Sequence, residues 1–241
     1  LAALFTLTEG RSAVTVASIP GLLQRTIPPE TLRRAAFEID AGGSYPIEDV
    51  EAALLRCGYT RTEQVEGAGQ FARRGGILDF FSPSEHEPVR IEFWGDDVDS
   101  MGHFDVASQR RTEPLERCVI LPAAETLPEM TAGGRDALCR EIESFAEKYG
   151  RRRTSENAAA LCATLRADAD RLRGAALISD ADRYLPVIYP MASAADYIPE
   201  DALIIFDQPG RCGERARDYT KQLAEDIRAL TPRGVLAMSP D

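Results

Sequence analysis

The chain has 241 residues, 44% of them hydrophobic, enough to bury a core and to supply more than one. Its net charge of −11 is uneven, with +2 on residues 1–35, −9 on residues 36–121 and −4 on residues 122–241. The acidic middle repels phosphate and speaks against broad non-specific DNA binding, and no apolar run approaches the roughly 18 residues of a membrane span.

The opening "LAALFTLTEGRSAV" lacks a basic leader and is broken by Glu9 and Arg11, so it does not read as a signal peptide. A start at Leu1 rather than Met reads as a segment of a longer protein. "SAVTVAS" (12–18) alternates small and β-branched residues and predicts a short strand. Pro28 and Pro29 then open a helical turn. "AAFEIDAGGSYP" predicts a strand ended by Gly42 and Gly43. "PIEDVEAALLRCGY" repeats apolar residues at 47, 50, 54 and 55, which predicts a helix with Gly58 just past its end.

From Tyr59 to about Leu121 the period changes to two. Short runs such as "GQFARR", "GILDFFSP", "PVRIEFWG", "DVDSMGHFD" and "RCVILPA" are separated by Gly, Pro, Asp and Ser. Gly75-Gly76 and Gly95-Asp96-Asp97 are placed to close hairpins, so a mainly antiparallel sheet with the 46–57 helix against it is expected.

After residue 122 the pattern turns helical. "GGRDALCREIESFAEKYGRRR", "SENAAALCATLRADADRLRG" and "ERARDYTKQLAEDIRAL" repeat apolar residues three to four apart. Between the last two, "ALIIFDQ" (202–208) predicts a fully buried strand of the parallel kind. Segments 12–18 and 202–208 are expected to share one α/β sheet, with the 36–121 unit inserted between them.

On a pleated strand "VRIEFW", Val89, Ile91 and Phe93 point one way and Arg90, Glu92 and Trp94 the other. The apolar set takes the core, which leaves Trp94, the single tryptophan, beside charges on a solvent-facing side. An aromatic beside an arginine there has the composition of an interface hot spot. Arg73 and Arg74 end the preceding strand and face opposite ways, so only one can join Arg90.

Catalytic chemistry is poorly supplied. Asp96, Asp97 and Asp99 are hard oxygen ligands without Ca²⁺-loop spacing and read as an acidic turn that blunts an edge. "LIIFDQP" looks like a Walker B strand ending at Asp207, but Gln208 stands where a catalytic Glu would follow, and no G-x-x-x-x-G-K-[ST] occurs. His86 and His103 have no motif around them. Cys57, Cys118, Cys139, Cys162 and Cys212 form no CxxC pair and read as reduced thiols of a cytoplasmic protein. No catalytic residue, metal site or cofactor site is assigned.

The order and spacing of "RRGGILDFF", "RIEFWGDD", "FD…SQR" and "VILPAAE" resemble the N-terminal, UvrB-homologous region of the bacterial transcription-repair coupling factor family, Mfd. The likeness is specific over roughly residues 36–126 and weaker outside, where "VTVASIPGLLQR" and "LIIFDQP" also suit the family. It implies an α/β fold: a degenerate helicase-like, P-loop-type parallel lobe in two parts (1–35 and 122–241) with an inserted α+β domain on an antiparallel sheet (36–121). It further implies that the inserted domain docks onto the repair protein UvrA through two arginines and an aromatic, which fall on Arg74, Arg90 and Trp94. A Phe is usual at the position of Trp94. In that family ATP, Mg²⁺, RNA polymerase and duplex DNA are handled by regions beyond this segment, which would be a non-catalytic docking module in the cytoplasm. UvrB, the excision-repair subunit that contacts damaged DNA, shares a similar block and is the competing reading. An acidic metal-dependent hydrolase at residues 96–99 is the third.

Overall fold

The computed structural model describes residues 1–9, 14–152, 155–174, 178, 181–190 and 192–230. Along the chain run helices α1 (Ala2–Thr8), α2 (Ile19–Leu23) and α3 (Pro29–Ala35), then strand β1 (Phe37–Asp40) and helix α4 (Ile47–Arg56). Seven strands follow: β2 (Thr60–Arg61), β3 (Gln70–Arg74), β4 (Ile77–Phe80), β5 (Val89–Trp94), β6 (Asp97–Phe104), β7 (Arg111–Pro114) and β8 (Arg117–Ile120). The remaining α-helices are α5 (Gly134–Arg152), α6 (Glu156–Arg173), the single turn α7 (Leu185–Ile188) and α8 (Pro209–Leu230). The chain divides into two compact units, one of Leu1–Thr6 with Pro29–Leu127, the other of Leu7–Pro28 with Pro128–Asp241.

In the first unit β2 to β7 lie in sequential order in one six-stranded sheet, antiparallel throughout except for the β2–β3 pair. β1 and β8 form a separate antiparallel ribbon, Phe37 opposite Ile120 and Asp40 opposite Arg117. Helix α4 starts after Pro46 with Glu48 and Asp49 in its first turn, where carboxylates favour the helix dipole. It buries Ile47, Val50 and Leu54 in one core with Phe71, Leu78, Phe80, Val89, Ile91 and Met101 of the sheet. Gly58 ends the helix at φ +84°, a left-handed conformation that glycine adopts without a Cβ clash. The expected helix, the hairpins at Gly75-Gly76 and Gly95-Asp96, and the strand expected in "AAFEIDAGGSYP" all form, the last as β1.

In the second unit α5 and α6 pack antiparallel, burying Leu138, Ile142 and Ala146 with Leu161, Leu165 and Ala169. The direction follows from their contacts: Cys139 Sγ donates to the Ala169 carbonyl and Cys162 Sγ to that of Ala146. Tyr184 and Asp168 are both buried and joined by a 2.7 Å hydroxyl-to-carboxylate bond.

One expectation fails here. Residues 14–18 and 202–206 join no ladder, and Val14, Val16, Leu203 and Ile205 are exposed rather than buried. Residues 12 and 13 lie outside the described residues. Local β-branched content favours extension, but a strand also needs a neighbour for its N–H and C=O groups. Among the described residues neither segment has that neighbour.

Candidate protein-docking face

Strand register sorts the residues of the sheet by face. Arg74 is opposite Ile77 on the β3–β4 hairpin, Ile77 opposite Glu92, and Asp79 opposite Arg90 on β5. Directly opposed residues share a face, so Ala72, Arg74, Ile77, Asp79, Arg90 and Glu92 all lie on the side away from α4. Arg73 points the other way and is held by Glu48 (2.8 Å) and Glu51 (2.5 Å) of α4. Those hydrogen bonds, to Glu51 foremost, raise the Arg73 pKa above its ordinary value. Of the two adjacent arginines, Arg74 is therefore the one that joins Arg90.

What joins them is Asp79. This carboxylate is 1% exposed, yet it receives Arg90 Nε on Oδ1 at 2.7 Å and Arg90 Nη2 on Oδ2 at 2.8 Å. Arg74 Nη2 reaches the same Oδ2 at 2.7 Å. Arg90 also donates to Gln109, from Nη1 to its backbone carbonyl and from Nη2 to Oε1, both at 3.1 Å. Its guanidinium carbon lies 4.5 Å from the centre of the Phe104 ring, a cation–π distance. Hydrogen bonding by Asp79, opposed by desolvation, holds the Arg90 pKa above its usual value. The surrounding strip is a second small core in which Phe81 packs on buried Val65, Ala72 and Phe104.

The two arginines differ in what they leave free. The Arg74 side chain is 46% exposed and that of Arg90 only 14%. Arg90 was expected on a solvent-facing side; it is on that side but largely covered, because Asp79, Gln109 and Phe104 close around it.

Trp94 sits at the end of β5, paired with Asp97 across the hairpin, and is 83% exposed. The turn beneath it is fixed from two sides. Phe93 N–H donates to the Gly76 carbonyl at 2.7 Å, which ties this end of β5 to the turn that follows Arg74. Tyr45 N–H donates to the Asp96 carbonyl, and Val98 N–H to that of Gly43. A register shift between Glu92 and Phe93 adds local twist where Trp94 emerges. Beside it Arg111 donates to Ser100 at 3.0 Å and Ser100 to Glu92 at 3.1 Å, forming a polar margin.

An exposed indole, a half-exposed guanidinium and a polar margin can bind a partner's apolar group and carboxylate. The other sequence candidates are elsewhere. Asp96, Asp97 and Asp99 are exposed around the β5–β6 turn, and no cluster of three or more His, Cys, Asp or Glu among the described residues could hold a metal ion. Asp207 and Gln208 form an exposed bend before α8, with Gln208 at φ +54°. Sequence reading overlooked Asp79, Gln109 and Phe104. A lone acid inside the apolar strand "ILDF" was the available signal, since a buried carboxylate needs a cationic partner.

A family model described as the UvrB interaction domain matches residues 37–125, the segment that contains the sheet and α4. The whole chain is similar to the transcription-repair-coupling factor of Bacillus subtilis, 29% identical over 231 residues, which cover 95% of this chain and 19% of that protein. The Myxococcus xanthus protein of the same name is 37% identical over 128 residues, 53% of this chain and 11% of its own length. UvrABC system protein B of Thermotoga maritima is 30% identical over 142 residues, 59% of this chain and 20% of that protein. The chain thus spans about a fifth of the length of the Bacillus subtilis coupling factor. No helix among the described residues is long and apolar enough to cross a membrane.

Proposed function

We propose that this chain is a non-catalytic docking module for UvrA, a reading supported by the match of residues 37–125 to the UvrB interaction domain. In this reading it recruits excision repair as part of a transcription-repair coupling factor. The observation that carries the proposal is the exposed Trp94 on the same sheet face as the Arg74–Asp79–Arg90 cluster, the face turned away from α4. Similarity to coupling factors over 95% of the chain supports a parent that is an ATP-dependent DNA translocase. ATP, Mg²⁺, RNA polymerase and duplex DNA then belong to regions of that parent outside this segment.

Residues 1–35 and 122–241 are read as two parts of a degenerate helicase-like lobe. The similarity over 95% of the chain supports this. Gln208 after Asp207, together with the missing Walker A lysine motif, supports a lobe without ATPase activity. A cytoplasmic location agrees with five free cysteines, four of them buried.

The similarity to UvrABC system protein B keeps a UvrB-type subunit as the second reading, in which this segment contacts damaged DNA. Titration calorimetry of the 241-residue chain with UvrA and with duplex DNA separates the two. Saturable UvrA binding with DNA binding no tighter than roughly 10⁻⁴ M supports the docking module. Sub-micromolar DNA binding with a steep salt slope supports the UvrB-type subunit.

A further inference from the structure

We propose that Asp79 is a positioning residue of the docking face, presenting Arg74 to the partner while Arg90 acts only through Asp79 and Gln109. The inference rests on the docking reading above and assigns different work to its two arginines.

Hydrogen-bond supply separates them. A guanidinium has five N–H donors. Arg90 commits four: Nε and one Nη2 hydrogen to the two oxygens of Asp79, the other Nη2 hydrogen and one Nη1 hydrogen to Gln109. The single donor left cannot form a two-bond pair with a second carboxylate unless Arg90 gives up Asp79. One guanidinium face lies over Phe104. The Arg74 side chain commits one donor, to Asp79 Oδ2, and makes no other hydrogen bond among the described residues. It is half-exposed, so its remaining donors are open to a partner carboxylate.

Asp79 makes this arrangement possible. Its Oδ2 takes an N–H from each arginine, which lets two like charges lie side by side around one buried anion. That contact also restrains the flexible Arg74 chain before a partner arrives, and ordering in advance lowers the entropy cost of binding. Arg90 orients Asp79 through two bonds, and Gln109 orients Arg90.

The test is a binding cycle measured by calorimetry with UvrA, at a temperature where melting curves show every variant folded. Asp79→Asn keeps the shape but loses the charge. In the wild-type background it should weaken binding about tenfold. In the Arg74→Ala background it should weaken binding less than twofold further, because the residue it positions is already gone. A purely structural role would not produce that dependence on Arg74. If Asp79→Asn does not fold, the pair Asp79→Asn/Arg90→Met, which leaves no unpaired buried charge, takes its place in the same cycle. A weakening as large in the Arg74→Ala background as in wild type would overturn the inference, since Asp79 or Arg90 would then act independently of Arg74. Wild-type affinity for a folded Asp79→Asn would overturn it as well. Failure of the wild-type chain to bind UvrA would instead remove the docking reading and this inference with it.

Discussion

Asp79 and Arg90 face each other across the β4–β5 ladder, joined by bonds of 2.7 and 2.8 Å, and the carboxylate is almost wholly withdrawn from water. A buried pair of this kind adds little stability over a well-packed apolar pair, but removing one partner strands the other charge. The two arginines should therefore part company in a melting experiment. Arg90→Ala leaves Asp79 with only the half-exposed Arg74 and should cost about 3 kcal/mol of stability. Arg74→Ala removes a partly solvated partner and should cost about 1 kcal/mol or less. Urea unfolding of both variants checks this, and equal costs would show that Arg90 is not the structural partner of Asp79.

The turn that follows Arg74 makes a separate demand. A Cβ on Gly76 would lie 2.7 Å from the carbonyl oxygen of Phe93, which is backbone and cannot swing aside. Gly76→Ala must therefore push the β3–β4 turn away from β5 and break the Phe93 N–H bond to the Gly76 carbonyl. A loss of about 1–3 kcal/mol is expected from overpacking at a fixed contact. UvrA binding should fall with it, because the same bond sets the end of β5 that carries Trp94. Wild-type stability for Gly76→Ala would show that the turn has slack.

Much of this face is legible from alternation alone. The opposite orientations of Arg73 and Arg74, the shared side of Arg90 and Trp94, and the inward set Val89, Ile91 and Phe93 all follow from a period of two. The depth of Arg90 does not follow. It depends on Asp79 arriving opposite through the β4–β5 register, and on the 105–110 loop bringing Gln109 over it with Gln109 at φ +59°. Those are relations between segments 11 and 19 residues apart, and local composition does not encode them. Residues 14–18 and 202–206 fail for the same reason in reverse. Their apolar, β-branched content reads as strand, while pairing is a property of a neighbour. The register shift at Glu92–Phe93 has no sequence mark that we can identify.

Buried thiols give the first unit an alkaline limit. Desolvation pushes the Cys57 pKa from 9.0 to about 11, against a smaller lowering by Arg56, and that of Cys118 from 9.0 to about 12. Both groups bind a proton more tightly folded than unfolded. Below pH 9 both states are protonated and the contribution is fully present. As pH rises from 9 toward 11 and 12 the unfolded thiols ionise first, so stability falls. Burial raises the Tyr59 pKa too, which adds to the same alkaline decline. The melting temperature should be flat near neutrality and drop above about pH 9, and a Cys57→Ala/Cys118→Ala variant should decline less steeply from a lower start. An identical slope in that variant would show that the two thiols do not contribute.

Trp94 is the sharpest test of recognition against packing. At 83% exposure its indole contributes little to the core, so Trp94→Ala should shift stability by no more than about 0.5 kcal/mol. A tryptophan that fills a pocket on UvrA should, by contrast, cost on the order of 2 kcal/mol of binding when truncated, about thirtyfold in affinity. Trp94→Phe should retain most of the affinity, since it keeps an aromatic face and Phe is the residue usual at this position in the family it resembles. Ile91 is the control on the opposite side of the same strand, fully buried against α4 and its neighbours. Ile91→Ala should cost about 2–5 kcal/mol of stability and leave affinity unchanged at temperatures where the variant is folded. Calorimetry with UvrA alongside thermal melts reads both quantities for all three variants. Unchanged binding by Trp94→Ala, or a collapse of its melting temperature, would mean that the indole packs within the chain and the docking face lies elsewhere.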